Sequence, residues 1–191
     1  MPENKVVFGL EKLAFAVATI ADDGSATFAA PIMCPGARSI SMDPQGDLTP
    51  WYADNMAYYV SDDFTGYQGD VEVARFVDAI MAAIWHEIAA GNGLKYEATG
   101  EQAVHFALLF EFKGDLHRTR YVFYNCTGTR PAVASATTEE TTEPQTSTST
   151  ITATPVWVEA LSKNVIKARC NPGDDAYDAF YEAVTLPTRS A

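Results

Sequence analysis

From Thr146 to Thr154 threonine occupies every second position, with Ser147, Ser149, Ile151 and Ala153 between. By composition the stretch EPQTSTSTITATPVW resembles a mucin-like stalk or a disordered tether. Its order points elsewhere. Successive side chains of a strand face opposite ways, so this spacing puts Thr146, Thr148, Thr150, Thr152 and Thr154 on one face. Threonine is β-branched, stiff at χ1 and favourable in strands. The alternation therefore predicts a strand with a face of hydroxyls. An ordinary solvent-facing strand of a β-sandwich accounts for such a face.

The same period recurs along the chain. LAFAVATIA (Leu13 to Ala21) predicts a strand, and DDGS a turn to a partner around ATFAA. ARSISMD predicts a third strand. DPQGDLTPWY, with two prolines and a glycine, predicts an irregular loop. NMAYYVS and YQGDVEVARF read as a strand pair across DDFTG, with Val71 and Val73 on one face and Asp70 and Glu72 on the other. AVHFALLFEF puts Val104, Phe106, Leu108, Phe110 and Phe112 on one apolar face, and TRYVFYNCTGTR pairs back on it. VIKARC predicts a last strand. The period changes only at Val77, Ile80, Met81, Ile84 and Ile88, which predict a helix from Val77 to Ala90 stopped by Gly91 or Gly93. GDDAYDAFYEAV predicts a short C-terminal helix, capped by Asp174, with Tyr177, Phe180, Tyr181 and Val184 on one face. The class is mainly β (α+β), without the βαβ alternation of a doubly wound nucleotide-binding sheet.

Chemistry is hard to find in these residues. His86-Glu87 opens a zincin-like helix, but the second ligand position holds Ala90. The glycines at 91 and 93 are followed by no Lys-Ser/Thr, so GNG is no phosphate loop. There is no GxSxG elbow. Cys126, in an apolar strand, has a thiol that burial makes a poor nucleophile. Cys34, Cys126 and Cys170 are odd in number, include no CxxC and predict reduced thiols. Tyr58, Tyr59, Tyr67, Tyr121 and Tyr124 suit either sugar stacking or closure of a sheet core with a wet hydroxyl end. No catalytic, metal or cofactor-binding residue is expected.

Charge narrows the partners. The 191 residues carry 13 Lys and Arg against 25 Asp and Glu, a formal net charge of -12. A grip on nucleic acid needs cations to displace phosphate counterions, and binding to an anionic membrane surface needs them too. The start, MPENKVVFGLEK, has no apolar h-region, and no apolar run approaches the ~20 residues of a membrane span.

Four stretches together carry a resemblance: YADNMAYYVSDDFTGYQGDVEVARF, HFALLFEFKGDLHRTRYVFYNCTGTRP, EPQTSTSTITATP and DAYDAFYEAVTLP. Their order and spacing resemble the major tail protein, or tail tube protein, of long non-contractile-tailed bacteriophages, in the branch common in Gram-positive hosts. The resemblance runs from about Val6 to Pro187. The Ala-rich helix departs from it. It implies a β-sandwich or half-barrel with a flanking helix, as one domain over residues 1–191. It implies a virion protein, made in the host cytoplasm, without catalytic residues or cofactors. Six copies would close into a ring and rings would stack into a tube. The implied partners are other copies of the chain, a tape measure protein in the lumen, tail terminator and tail-tip proteins, and DNA in transit without specific binding. The alternatives are a carbohydrate-binding β-sandwich module and the tube subunit of a DNA-free bacteriocin particle.

Two sets of site residues follow. Loops near 43–52 and 134–145 are expected to order against neighbouring subunits, with Asp43, Pro44, Leu48, Pro50, Trp51, Tyr52, Glu139, Glu140, Glu143 and Pro144 at the interface. Trp51 and Tyr52 are its expected anchors. Asp70, Glu72, Thr146, Thr148, Thr150 and Thr152 are the candidates to line a channel, where an acidic or hydroxyl wall would let DNA pass without sticking.

Overall fold

The computed structural model describes residues 8–115, 117–135 and 145–189, apart from the side chain of Asp62. In chain order the strands are β1 (Leu10–Ile20), β2 (Ala26–Phe28), β3 (Ile32–Met33), β4 (Ala37–Gln45), β5 (Leu48–Ala53), β6 (Met56–Asp62) and β7 (Gly66–Val73). The helix α1 (Asp78–Trp85) follows, then β8 (Glu87–Ala89), β9 (Lys95–Glu97), β10 (His105–Phe112) and β11 (Arg120–Gly128). The chain continues with β12 (Ser147–Thr154), β13 (Val156–Val158), β14 (Lys163–Val165) and β15 (Lys167–Cys170).

Nine strands form one antiparallel sheet in the order β2-β1-β10-β11-β12-β7-β4, with β3 on β1 and β15 on β11. The sheet curls. Cys34 N–H bonds to Leu13 O at 2.8 Å, and Ala37, three residues on, pairs with Val73. Cys34–Gly36 thus bridges β1 to β4, which stand far apart in the strand order. This half-barrel is the mainly β, sandwich-like fold expected. Glycine is required where β4 crosses β7, because a Cβ on Gly69 would lie 1.8 Å from Ser41 O.

Hydrophobic cores lie on both faces of the sheet. Phe15, Phe106, Leu108, Phe123, Val71 and Ile151 fill the inside of the curl, where Phe76, Ile80, Ile84 and Trp85 close it. Ala14, Ala16, Leu109, Val122 and Tyr124 face the other way, under Val156, Val158 and Phe180. Buried on both sides, β10 reads FALLF rather than alternating with polar residues. Phe106, Leu108, Phe110 and Phe112 do share one core.

The helix is half as long as its apolar spacing predicts. His86 takes the left-handed conformation at φ 56°, and Arg130 Nη1 donates to the terminal carbonyl of Trp85 at 2.8 Å. A basic side chain on the last carbonyls is a helix stop. Glu87–Ala89 then pairs with Lys95–Glu97 as a hairpin across Asn92-Gly93. Asn-Gly is a strong hairpin turn, and it overrides the helical period of Ile88, which is 40% exposed.

Three other expectations are corrected. DPQGDLTPWY is not irregular: it ends β4 and begins β5, and Pro44 and Pro50 sit where no interior ladder needs their missing N–H. β6 pairs with β5, not with β7, whose neighbours are β4 and β12. The Asp54-Asn55 turn, with φ of 51° and 60°, joins β5 to β6 in the primed geometry that matches strand twist. Residues 174–183 form successive turns rather than a regular helix. Asp174 caps no helix and instead accepts from Asn171 N–H, three residues before it, at 2.7 Å; Tyr177, Phe180, Tyr181 and Val184 do pack on the second core.

Candidate assembly and lining surfaces

The threonine strand lies between β11 and β7, and register gathers the predicted lining residues on one sheet face. Ser39, Glu72 and Thr148 form one row, Ser41, Asp70 and Thr150 the next, and Asp43, Gln68, Thr152 and Thr127 a third. The alternate residues Ser149, Ile151, Ala153, Val71 and Val73 are buried. Beyond this polar area the same sheet face is covered by β13, β14 and the C-terminal turns. Over β12, β7 and β4 it is open.

Short hydrogen bonds tie the polar rows together. Thr150 Oγ1 donates to Asp70 Oδ1 at 2.7 Å, and Thr146 Oγ1 to Glu72 Oε1 at 2.5 Å. Glu72 also accepts from Ser39 Oγ at 3.0 Å and from Arg38 Nη1 at 2.7 Å. The Thr146 hydroxyl, then Ser39 and the Arg38 guanidinium, hold the Glu72 carboxyl below the usual carboxylate range. Asp43, expected at an inter-subunit loop, instead stands on this face beside Gln68.

The second surface is the hairpin β5–β6, which leaves the sheet between β4 and β7 and pairs only with itself. Leu48, Trp51, Tyr52, Met56, Tyr58 and Tyr59 are all exposed on it, Trp51 at 60% and Tyr58 at 70%. Trp51 and Tyr58 meet edge to face at 6.1 Å. A two-stranded hairpin alone is marginal in water, and exposed apolar patches of this extent commonly mark interaction sites. Leu48, Pro50, Trp51 and Tyr52 were expected there. Met56, Tyr58, Tyr59 and Val60 were not, because the sequence pairs β6 with β7 and its tyrosines suit either sugar stacking or a sheet core. Tyr124 does behave that way, buried with its hydroxyl donating to Thr185 O at 2.9 Å. Glu139, Glu140, Glu143 and Pro144 lie outside the described residues.

Cys34, Cys126 and Cys170 are free and buried, and burial pushes each thiol up. His86 ends the helix, and His105 Nδ1 lies 2.7 Å from Asn125 Oδ1. Among the described residues no three His, Cys, Asp or Glu side chains converge as a metal site, and no helix is long and apolar enough to cross a membrane.

The family described as phage tail tube protein matches residues 2–185. The chain belongs to that family. No curated protein sequence matches it. As a tail tube protein it is a structural component of the virion tail, and it builds a tube together with other tail components. The arm and the wall are two exposed surfaces of this tail tube chain.

Proposed function

We propose that the chain polymerises as stacked hexameric rings into the tail tube, and that phage DNA passes through the lumen to the host. The β5–β6 arm carries this reading. Six large apolar residues stand in water on a hairpin that packs on neither core. Aromatic anchors of this kind supply most of the energy of an interface. The resemblance supports a non-contractile tail, a tape measure protein in the lumen during assembly, and terminator and tip proteins at the tube ends.

The wall formed by β12, β7 and β4 is the face we place toward the lumen. The cation on this wall, Arg38, is held in an ion pair by Glu72, and the hydroxyls and other carboxylates offer phosphate nothing to hold, so transit meets few sticking points. Its field is screened within ~8 Å at physiological salt, which leaves DNA on the axis a weak, even repulsion.

Negative-stain microscopy of the purified protein tests the assembly. Rings with six-fold averages, or tubes built from them, are expected. Stable monomers at high concentration that bind glycans would overturn the reading in favour of a carbohydrate-binding module. Particles whose tubes form but never carry DNA would mark a bacteriocin tube.

A further inference from the structure

The arm is acidic as well as apolar. Between Gly46 and Phe64 its charged residues are Asp47, Asp54, Asp62 and Asp63, with no Lys or Arg. A surface that receives it in a second copy should be basic and should offer backbone groups to an added strand. The segment from Ser162 to Asn171, SKNVIKARCN, contains Lys163, Lys167 and Arg169 and no acid. Among the described residues no ion pair joins these three cations to a carboxylate.

The same segment holds an unpaired sheet edge. Among the described residues β15 pairs with β11 on one side and with no strand on the other. Tyr124 N–H donates to Ile166 O at 3.0 Å. In an antiparallel ladder the hydrogen-bonded positions alternate, so Ala168 and Cys170 also turn their backbone groups to β11. Lys167 and Arg169 turn theirs outward. A pocket of about 340 Å³ opens here, lined by Tyr121, Lys167, Ala168 and Arg169. On the arm, Pro50 deprives β5 of a donor, whereas β6 contains no proline. Lys167 and Arg169 are exposed on β15, as Trp51, Tyr58 and Tyr59 are on the arm of the same chain.

We infer that the arm of one copy docks along β15 of a neighbouring copy, β6 adding as a strand to the Lys167–Arg169 edge and the arm's aspartates facing its cations. The inference rests on the self-assembly reading above and names the surface that the arm meets.

Two full-fold variants test it. One lacks Leu48–Asp62 and keeps β15. The other keeps the arm and carries Lys167→Glu with Arg169→Glu. Each alone should run as a monomer in analytical ultracentrifugation. An equimolar mixture of the arm-deleted chain and the β15-reversed chain should form a heterodimer, because one supplies the edge and the other the arm. Raising salt from ~0.05 M to ~0.5 M should weaken the heterodimer ~10-fold or more, as screening shortens the reach of the charges. If the deletion does not fold, Trp51→Ser with Tyr58→Ser on an intact arm replaces it. If the wild type forms no tubes and the heterodimer still appears, the docking stands and the tube reading falls. If wild-type tubes form while the mixed pair stays monomeric, or the β15-reversed chain assembles normally by itself, the docking is overturned.

Discussion

Thr150 Oγ1 donates a 2.7 Å hydrogen bond to Asp70 Oδ1, joining residues 80 positions apart in the sequence. The bond crosses from β12 to β7 on the open face, so a neutral hydroxyl holds a carboxylate in place at the surface. Among the described ion pairs Asp70 has no cation, whereas Glu72 beside it is neutralised by Arg38. Asp70, like Asp43 in the next row, is therefore a wall residue whose charge reaches outward.

The first prediction concerns that charge. Asp70→Lys should leave the fold intact, since the position is exposed. In assembled particles it should slow DNA ejection at low salt, with recovery as salt rises, because each added phosphate contact is salt-dependent. Ejection followed by DNA-dye fluorescence across a salt series measures it. Unchanged ejection at low salt would place the wall away from the lumen.

The second prediction concerns Glu72 and pH. Its carboxyl is lower in the folded chain than unfolded, chiefly because Thr146 donates to it. The folded state thus favours the charged form. The stabilisation is present above the ordinary carboxylate pKa of ~4.3 and is lost as pH falls through the lowered folded value. Thermal melts of wild type and Glu72→Gln should differ at neutral pH and converge in acid. A difference that persists at the lowest pH would show that packing, not charge, separates them.

The third prediction separates the two halves of the segment read as one helix. Ile84 is buried on α1, and Ile88 is half-exposed on β8. Ile84→Ala should destabilise by ~2–5 kcal/mol. Ile88→Ala should stay within ~0.5 kcal/mol, as for a surface site. Urea titrations of the two variants decide. Equal losses would mean that Ile88 is covered within the monomer.

How far the sequence discloses this fold depends on whether the relevant forces are local. Strand alternation is local, so β1, β10, β11 and β12 were legible, and so was the shared face of Asp70 and Glu72. Pairing is not local. Nothing within MAYYVSD distinguishes β5 from β7 as its neighbour, and only the Asp54-Asn55 turn, with both residues at positive φ, gave the cue. Proline was misleading for the same reason. Pro44 and Pro50 break an interior strand but not an edge or an arm, and edges are a tertiary property. The end of α1 depended on Arg130, distant in sequence, reaching the carbonyl of Trp85. Of the candidate surfaces, the wall could be read from alternation. Half of the arm could not, because its tyrosines look like core residues until the sheet order is known.

The last prediction tests what holds the C-terminal turns. Glu111 is 2% exposed and receives Lys12 Nζ at 2.9 Å and Arg120 Nε at 3.2 Å. Arg120 also donates to Tyr177 O and lies 3.8 Å from the centre of the Tyr177 ring. The Arg120 guanidinium therefore joins a buried carboxylate in the sheet to a segment, 57 residues after Arg120, whose own backbone bonds are short turns such as Tyr177 N–H to Asp174 O and Phe180 N–H to Tyr177 O. Arg120→Met keeps the stem and removes both the charge and the donors. Breaking one partner of a buried pair costs about 3–5 kcal/mol, since the remaining charge stays buried. Lys12 still reaches Glu111, so a loss at the lower end of that range is expected. The turns should loosen with it, which hydrogen exchange at Tyr177–Glu182 would register as faster exchange than in the β10–β11 ladder. A variant as stable as wild type, with those amides still protected, would mean that Phe180 and Tyr181 packing on the second core suffices to hold the segment.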